Sequence, residues 1–92
     1  MSDVFDALAH PVRRKILKLL RKGALSAGDL ADKFDLAKPT LSGHFAVLKA
    51  ADLVTTERQG TTILYRLNMS VLEEAAAAVL DLAGTGKKES KP

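Results

Sequence analysis

The 92-residue sequence contains no cysteine and no tryptophan, and aromatic residues make up only 4% of it. Without a thiol the chain can form neither a disulfide nor a cysteine-ligated metal site, and thiol-based redox sensing is excluded. The absence of cysteine fits a reducing compartment, so we expect the protein in the cytoplasm. Because aromatic residues are scarce, aliphatic and alanine side chains must form most of the core.

Long apolar runs are missing as well. No stretch reaches the roughly 18 apolar residues of a membrane-spanning helix, and the N-terminus has no signal-peptide pattern, so we expect no membrane insertion. What is present is a hydrophobic fraction of 47%, which is enough for one small folded domain. The formal net charge of +3 is compatible with nucleic acid, but it does not by itself indicate a nucleic-acid partner.

The N-terminal part of the chain shows helical periodicity. Val4, Phe5 and Leu8 fall on one face of a first helix. Pro11 suits the first turn of a second helix, because the N–H that proline lacks has no partner there. Gly23 suits the end of that helix.

Two further short helices follow. Ser26 and Asp29 form the S-x-x-D pattern of a capping box, which marks the start of the third helix. After the tight connection "DLA", Pro39 lies in the first turn of a fourth helix, which we expect to run to about Ala51. Two short helices joined by about four residues predict a helix-turn-helix motif.

The periodicity then changes. The segment "LVTTERQGTTILYRL" is rich in β-formers and predicts a two-stranded hairpin that turns at Gly60. A last helix follows, with an expected capping box from Ser70 and Glu73. The order α-α-α-α-β-β-α predicts a mainly α fold with a small β-hairpin (α+β), a winged helix-turn-helix. We expect this domain in residues 1–84 and a disordered basic tail in residues 85–92.

The fourth helix has two unlike sides. Leu41, Phe45 and Leu48 share its apolar side, which we expect to be buried. The opposite side carries small or polar residues, namely Pro39, Ser42, Gly43 and Ala46, with Thr40 and His44 on its flanks. A slim face with short hydrogen-bonding groups suits a major groove about 12 Å wide. In helix-turn-helix proteins, residues near the N-terminus of the recognition helix contact the base edges. We therefore predict that this face binds DNA.

Several of these residues allow a second interpretation. Gly43 either lets the helix approach the bases closely or reflects a tolerant surface position. His44 either contacts DNA or packs, partly buried, between helices. Arg58 at the hairpin tip either contacts DNA, in a minor groove or at a phosphate, or is a solvated loop charge.

Three segments together resemble the ArsR/SmtB family of small dimeric winged-helix repressors. They are "ALAHPVRRKILKLL", "LSAGDLADKFDLAKPTLSGHFAVLKAADLV" and "ERQGTTILYRLN", which are similar to the family's opening, helix-turn-helix and wing. The match covers about residues 4–83, and the subgroup it most resembles is the SdpR-type autorepressors, which lack metal ligands. The chain departs from the family pattern at Ala37, where an N-capping serine is frequent, at His10, where aspartate is common, and at Thr61, where a wing arginine is frequent.

The resemblance implies both a DNA-binding site and a dimer. The residues implied to contact DNA are Lys38, Pro39, Thr40, Ser42, Gly43 and His44 on the fourth helix and Arg58, Gln59, Gly60 and Thr61 on the wing. The family pairs its first and last helices across a twofold axis, and both helices here have more apolar face than one small core can cover. The residues expected at this homodimer interface are Val4, Phe5, Leu8, Leu72, Ala76, Val79, Leu80 and Ala83. Burial of these residues within one subunit is the alternative.

Metal sensing, which many relatives perform, is not expected here. The third helix "SAGDLADKF" has neither thiol nor histidine, and the last helix offers carboxylates without histidine. We therefore expect no metal and no cofactor. Control by a protein antagonist, by a small-molecule antagonist or simply by repressor concentration stays open.

The leading hypothesis is a homodimeric, sequence-specific transcriptional repressor. It would bind an inverted repeat in double-stranded DNA through helix 37–51 and the wing 54–67, with its own operon as one target. The alternative is a winged-helix protein-interaction module without DNA binding, which an apolar face around Ser42 would have favoured. An enzyme is not expected, because Ser42 and His44 are about 200° apart around one helix and cannot form a nucleophile–base pair.

Overall fold

The computed structural model describes residues 3–84, so the tail 85–92 and the candidate cap Ser2 lie outside the described residues. The elements, in chain order, are α1 Asp3–Leu8, α2 Pro11–Leu20, β1 Leu25–Ser26, α3 Ala27–Ala31, α4 Lys38–Ala50, β2 Val54–Gln59, β3 Thr62–Leu67 and α5 Met69–Leu82. The predicted class, mainly helical with a small antiparallel sheet, is confirmed. None of the helices within residues 3–84 has the length and apolar character needed to cross a bilayer.

Helix α2 begins with a cap that the sequence analysis did not anticipate. His10 precedes the helix in an extended conformation, and its Nδ1 accepts a hydrogen bond of 3.1 Å from the backbone N–H of Val12. Pro11 occupies the first turn as predicted, and Gly23 follows the helix with a φ of +147°, a value that favours glycine. The histidine thus replaces the oxygen-bearing side chains that usually cap helices.

The two helices of the helix-turn-helix begin in different ways. The predicted capping box of α3 is present, since Ser26 Oγ accepts from the Asp29 N–H at 3.0 Å and Asp29 Oδ2 accepts from the Ser26 N–H at 3.2 Å. Helix α4 has Pro39 in its first turn, but Ala37 at its N-cap makes no side-chain hydrogen bond. The backbone amides at the start of α4 therefore lack a side-chain acceptor from the cap.

The sheet has three strands where the sequence predicted two. Strands β2 and β3 form the expected hairpin, paired from Val54–Leu67 to Gln59–Thr62 and turning at Gly60 with a φ of +65°. The short strand β1 adds to the other edge of β3, with Leu25 opposite Tyr65. Two residues before a helix carry no alternating pattern, so their pairing depends on β3 being brought alongside.

The hydrophobic core lies between the helices and one face of the sheet. Leu41, Phe45 and Leu48 of α4 are buried as predicted. The other buried members of this cluster are Ala7, Ile16, Leu17, Leu20, Leu30, Ala51, Leu53 and Val54. The core thus holds α4 by its apolar side and leaves its opposite side at the surface.

The predicted capping box of α5 is wrong. The helix begins at Met69 with Asn68 as its N-cap, so Ser70 already lies in the first turn. The Asn68 N–H donates to the Leu53 carbonyl at 2.9 Å, and the Asn68 carbonyl accepts from the Leu72 N–H at 3.3 Å. This long-range bond fixes the point where the chain leaves the sheet, and the helix starts two residues earlier than the local pattern indicated.

Candidate nucleic-acid interface

The N-terminal half of α4 presents the predicted face to solvent. Lys38, Pro39, Thr40, Ser42 and Gly43 are all exposed, while His44 is half-buried at the edge of the face. Five of the six predicted α4 residues are therefore exposed, because the buried residues Leu41, Phe45 and Leu48 hold the helix from behind. Apart from Lys38, the exposed side chains in this half of α4 are short, which suits a helix that lies in a major groove.

The first turn of α4 is suited to a phosphate. The helix begins without a side-chain cap, and no acidic residue lies in its first turn. Its amide groups and the positive end of the helix dipole are thus open to an anion, and the exposed Lys38 adds a full positive charge beside them. A DNA backbone phosphate supplies the matching acceptor oxygens.

The packing around Gly43 leaves room for a side chain. A Cβ atom at this position would have no atom within 4 Å, other than those of its neighbours and its own helix. Its φ is not in the left-handed region either. Packing inside residues 3–84 therefore does not require a glycine here, and both interpretations of Gly43 concern the outer surface.

His44 is held by a residue that the sequence analysis missed. Nη1 of Arg13 lies 3.2 Å from Nδ1 of His44, and the ring of His10 lies 4.5 Å from the His44 ring, centroid to centroid. Burial lowers the pKa of His44, and the nearby His10 and Arg13 lower it further. His44 thus packs between helices on one side, as the second interpretation held, while lying at the edge of the proposed DNA-binding face.

The wing tip is exposed and locally ordered by polar contacts. Arg58 donates from Nη1 to the Gly60 carbonyl at 3.5 Å, and Gln59 donates from Nε2 to Glu57 Oε2 at 3.4 Å. Arg66 on the neighbouring strand donates a hydrogen bond of 2.7 Å from Nη2 to Oε1 of Glu57 and forms an ion pair with it. This hydrogen bond lowers the pKa of the Glu57 carboxyl. The exposed residues predicted to contact DNA here are Arg58, Gln59, Gly60 and Thr61.

Comparison with known proteins identifies this architecture. The sequence model of a helix-turn-helix domain matches residues 8–57. The transcriptional repressor SdpR of Bacillus subtilis (strain 168) is 39% identical over 89 residues, covering 97% of this chain and 99% of that repressor. The chain belongs to the ArsR family of helix-turn-helix transcriptional repressors. This family consists of DNA-binding regulators of transcription and not of enzymes.

Other ArsR-family proteins agree in sequence and in fold. The arsenical resistance operon repressor of Staphylococcus xylosus is 40% identical over 73 residues, covering 79% of this chain and 70% of that protein. The solved structure of an ArsR-like transcriptional regulator from Rhodococcus sp. RHA1 superposes with a TM-score of 0.83 at 28% identity, covering 90% of this chain and 76% of that one. Across its described length this ArsR-family chain therefore has the winged helix-turn-helix fold.

The part of this ArsR-family chain that the structure describes contains no group of three or more histidine, cysteine, aspartate or glutamate side chains placed to hold a metal ion. The two histidines lie side by side, His10 at the N-cap of α2 and His44 on α4. Their Nδ1 atoms are both engaged within the protein.

The first and last helices carry exposed apolar side chains. Phe5 of α1 is 48% exposed, Val79 of α5 is 49% exposed and Leu82 of α5 is 86% exposed. Of the other residues predicted at the dimer interface, Ala76, Leu80 and Ala83 are exposed, and Val4, Leu8 and Leu72 are half-buried. Leu82, on the same helix, was not among the residues predicted at this interface. On α5 only Ala75 is buried, so one subunit leaves most of the apolar surface of this helix uncovered.

Proposed function

We propose that this ArsR-family chain binds an inverted-repeat operator in double-stranded DNA as a homodimer and represses transcription by blocking the promoter, including that of its own operon. Each subunit inserts α4 into the major groove and lays the wing, residues 54–67, against the flanking DNA. The observation that carries this proposal is the exposed, short-chained polar face of α4, which lies directly opposite its buried apolar side.

The DNA contacts divide into positioning and reading contacts. Lys38 and the first-turn amides of α4 bind a phosphate and fix the register of the helix. Thr40 and Ser42 carry hydroxyls that donate to or accept from base edges, and the Thr40 methyl suits a thymine methyl. Neither hydroxyl makes a bidentate contact, so each alone discriminates weakly between bases. Arg58 and its neighbours on the wing bind phosphate or a minor groove.

The apolar surface on α1 and α5 supports the proposed homodimer. Phe5, Val79 and Leu82 expose large apolar side chains, and a domain this small gains stability by pairing them with a second copy. Ala76, which is exposed on the same side of α5 as Val79, allows two such helices to approach closely. We expect a twofold axis through this surface to separate the two α4 helices by about one DNA turn, roughly 34 Å, or a multiple of that, as an inverted repeat requires. We place this regulator in the cytoplasm, where its DNA is.

The decisive experiment is selection of bound duplexes from a random pool by the full chain. We expect enrichment of an inverted repeat whose half-sites are separated by about one helical turn. A selection that enriches no motif, even at low salt, contradicts the proposal. Enrichment of a single unrepeated half-site contradicts the dimer but leaves DNA recognition intact.

Two lysines of α4 provide a matched pair of variants for the selected duplex. Lys38 lies in the first turn and Lys49 in the last, and both side chains are exposed. We expect Lys38→Ala to weaken binding and to reduce the slope of log affinity against log salt by about one, because one phosphate contact is lost. Lys49→Ala should change neither quantity. Equal effects of the two variants would mean that general charge, not the N-terminal end of α4, governs binding.

A further inference from the structure

The guanidinium of Arg13 joins three parts of the structure. Its Nε donates to the Ala7 carbonyl at 2.9 Å and its Nη2 to the Asp6 carbonyl at 3.1 Å, both at the end of α1. Its Nη1 lies 3.2 Å from His44 Nδ1 on α4. Two backbone carbonyls therefore fix the plane of the guanidinium, and the third contact presents a rigidly placed donor to the histidine.

The chemistry of these groups determines the tautomer of His44. An arginine side chain has donors only, so Nδ1 of His44 must be the acceptor in this contact. A ring that accepts at Nδ1 is neutral and carries its proton on Nε2. Within residues 3–84 Nε2 of His44 has no hydrogen-bond partner.

The ring of His10 lies beside the ring of His44. Its Nδ1 accepts a hydrogen bond from the Val12 N–H at 3.1 Å, which holds the His10 ring in place. The two rings lie 4.5 Å apart, tilted by 54°. A proton added to His44 would break its contact with Arg13 and place a cation beside a guanidinium, which is unfavourable.

We propose that Arg13 is a positioning residue for DNA recognition, which holds His44 as a neutral ring that donates a hydrogen bond from Nε2 to the operator. This inference rests on the proposed function, because the acceptor lies on DNA. The partner is a hydrogen-bond acceptor atom, either N7 or O6 at a base edge in the major groove or a phosphate oxygen. Arg13 does not itself touch the DNA in this arrangement.

The tautomer can be tested without DNA. Long-range ¹H–¹⁵N spectra of the full chain with ¹⁵N-labelled histidine, recorded at pH 8, report which ring nitrogen of His44 carries the proton. We expect the proton on Nε2 in the wild type and a mixture of tautomers in Arg13→Lys, which lacks the planar fork. Arg14→Lys is the matched control, since the Arg14 guanidinium donates to the Leu8 carbonyl at 2.8 Å and forms no hydrogen bond with either histidine ring within residues 3–84. In this variant the His44 tautomer should match the wild type.

Two results of this experiment overturn the proposal. One is a wild-type His44 that carries its proton on Nδ1. The other is an Arg13→Lys variant that keeps the wild-type tautomer alone, because the arginine would then not determine it. Thermal unfolding of each variant, followed by circular dichroism, shows that the compared proteins are folded.

The donor role is tested by binding to the duplex selected from the random pool. We expect His44→Ala to weaken binding about tenfold, the loss of one good hydrogen bond. His44→Gln should recover most of that loss, because its amide also donates from Nε2. Adding Arg13→Lys to His44→Ala should cause no further loss, since a positioning residue acts only through the group it positions.

The outcomes separate this inference from the proposed function. If the wild type binds the selected duplex and His44→Ala binds it equally tightly, the donor role is overturned and the proposed function stands. Losses from Arg13→Lys and His44→Ala that multiply in the double variant also overturn the positioning role. If the wild type selects no duplex, the proposed function fails and the donor role fails with it.

A scan of single base-pair replacements in the duplex identifies the acceptor. A penalty of His44→Ala that disappears at one base pair places the acceptor on that base edge. A penalty that is the same on every duplex places it on a phosphate. Either pattern supports a donor at Nε2, whereas no penalty on any duplex contradicts it.

Discussion

The ring of Phe45 on α4 and the ring of Tyr65 on β3 lie 4.8 Å apart, centroid to centroid, at an interplanar angle of 36°. Tyr65 is also paired with Leu25 of β1 and Thr56 of β2, so it occupies the middle of the sheet. This contact joins the helix proposed to enter the major groove to the strands that carry the wing. The two elements proposed to contact DNA are therefore positioned by one core.

Truncation at this junction should be costly. Phe45→Ala should lower the free energy of unfolding by about 3–5 kcal/mol, because a buried ring is replaced by a cavity. Val47→Ala on the same helix, where the side chain is exposed, should cost less than about 1 kcal/mol. Urea unfolding measures both, and similar losses for the two variants would contradict the packing described here.

The two helices of the helix-turn-helix motif differ in their caps. Ser26→Ala should destabilise the protein by about 1 kcal/mol, since the α3 capping box is lost. Ala37→Ser should stabilise it by about 0.5–1 kcal/mol, since α4 begins without a side-chain cap. Ser42→Ala is the control, because this exposed serine caps nothing, and its stability should stay within about 0.5 kcal/mol of the wild type. An unchanged midpoint of denaturant unfolding for Ala37→Ser would show that the first backbone amides of α4 gain nothing from a capping side chain.

Substitution of Gly43 by alanine should raise stability and weaken DNA binding. Gly43→Ala should raise the free energy of unfolding by up to about 1 kcal/mol, because the added methyl meets no other atom and alanine favours the helix. We expect the same variant to bind the selected duplex more weakly, because the methyl then occupies the surface nearest the bases. Fluorescence anisotropy measures this affinity. An unchanged affinity would favour the interpretation of Gly43 as a tolerant surface position.

The lowered pKa of His44 makes stability depend on pH. Since the folded chain binds this proton less readily than the unfolded chain, its contribution is complete above the ordinary histidine value of about 6.5 and is lost as the pH falls through the lower folded pKa. His44→Gln should remove this part of the pH dependence in urea unfolding measured between pH 8 and 5. Glu57 contributes at a more acidic pH. Because the folded chain lowers the pKa of the Glu57 carboxyl, its contribution to stability is lost only as the pH falls below the ordinary value of 4.5.

The residue at position 10 should influence the pKa of His44. His10→Asp keeps an N-capping acceptor for α2 but places a carboxylate beside His44, and an opposite charge favours the protonated ring. We expect the pKa of His44 to rise relative to the wild type when it is followed by NMR titration. A His44 pKa that does not rise in this variant would contradict the expected electrostatic effect of position 10 on His44.

The proposed dimer predicts different effects at two positions of α5. Val79 lies on the apolar side of the helix near Ala75, whereas Ala77 lies on the opposite side. Val79→Glu should give monomers in sedimentation velocity, because it buries a charge in the interface, and Ala77→Glu should leave the dimer intact. A Val79→Glu variant that remains dimeric would place the subunit interface elsewhere.

Local patterns predicted much of this structure. The capping box of Ser26 and Asp29, the buried side of α4 around Leu41 and the hairpin turn at Gly60 were all evident from neighbouring residues. Each depends on interactions within a few positions of the chain, which sequence spacing expresses directly. The start of α5 was mispredicted, because the bond between Asn68 and Leu53 decides it and no local pattern contains that bond.

By itself, the sequence determined the helix-turn-helix, the wing and the short-chained face of α4, because periodicity and caps are encoded in residues three or four apart. Only the tertiary structure decided that β1 joins the sheet, that His10 caps α2 beside His44, and that Arg13 contacts a histidine 31 positions along the chain. The physical reason is that these contacts form only after the core has brought distant segments together. The fold thus brings the Arg13 donor and the His44 acceptor together at the edge of the face proposed to bind DNA, which no single segment specifies alone.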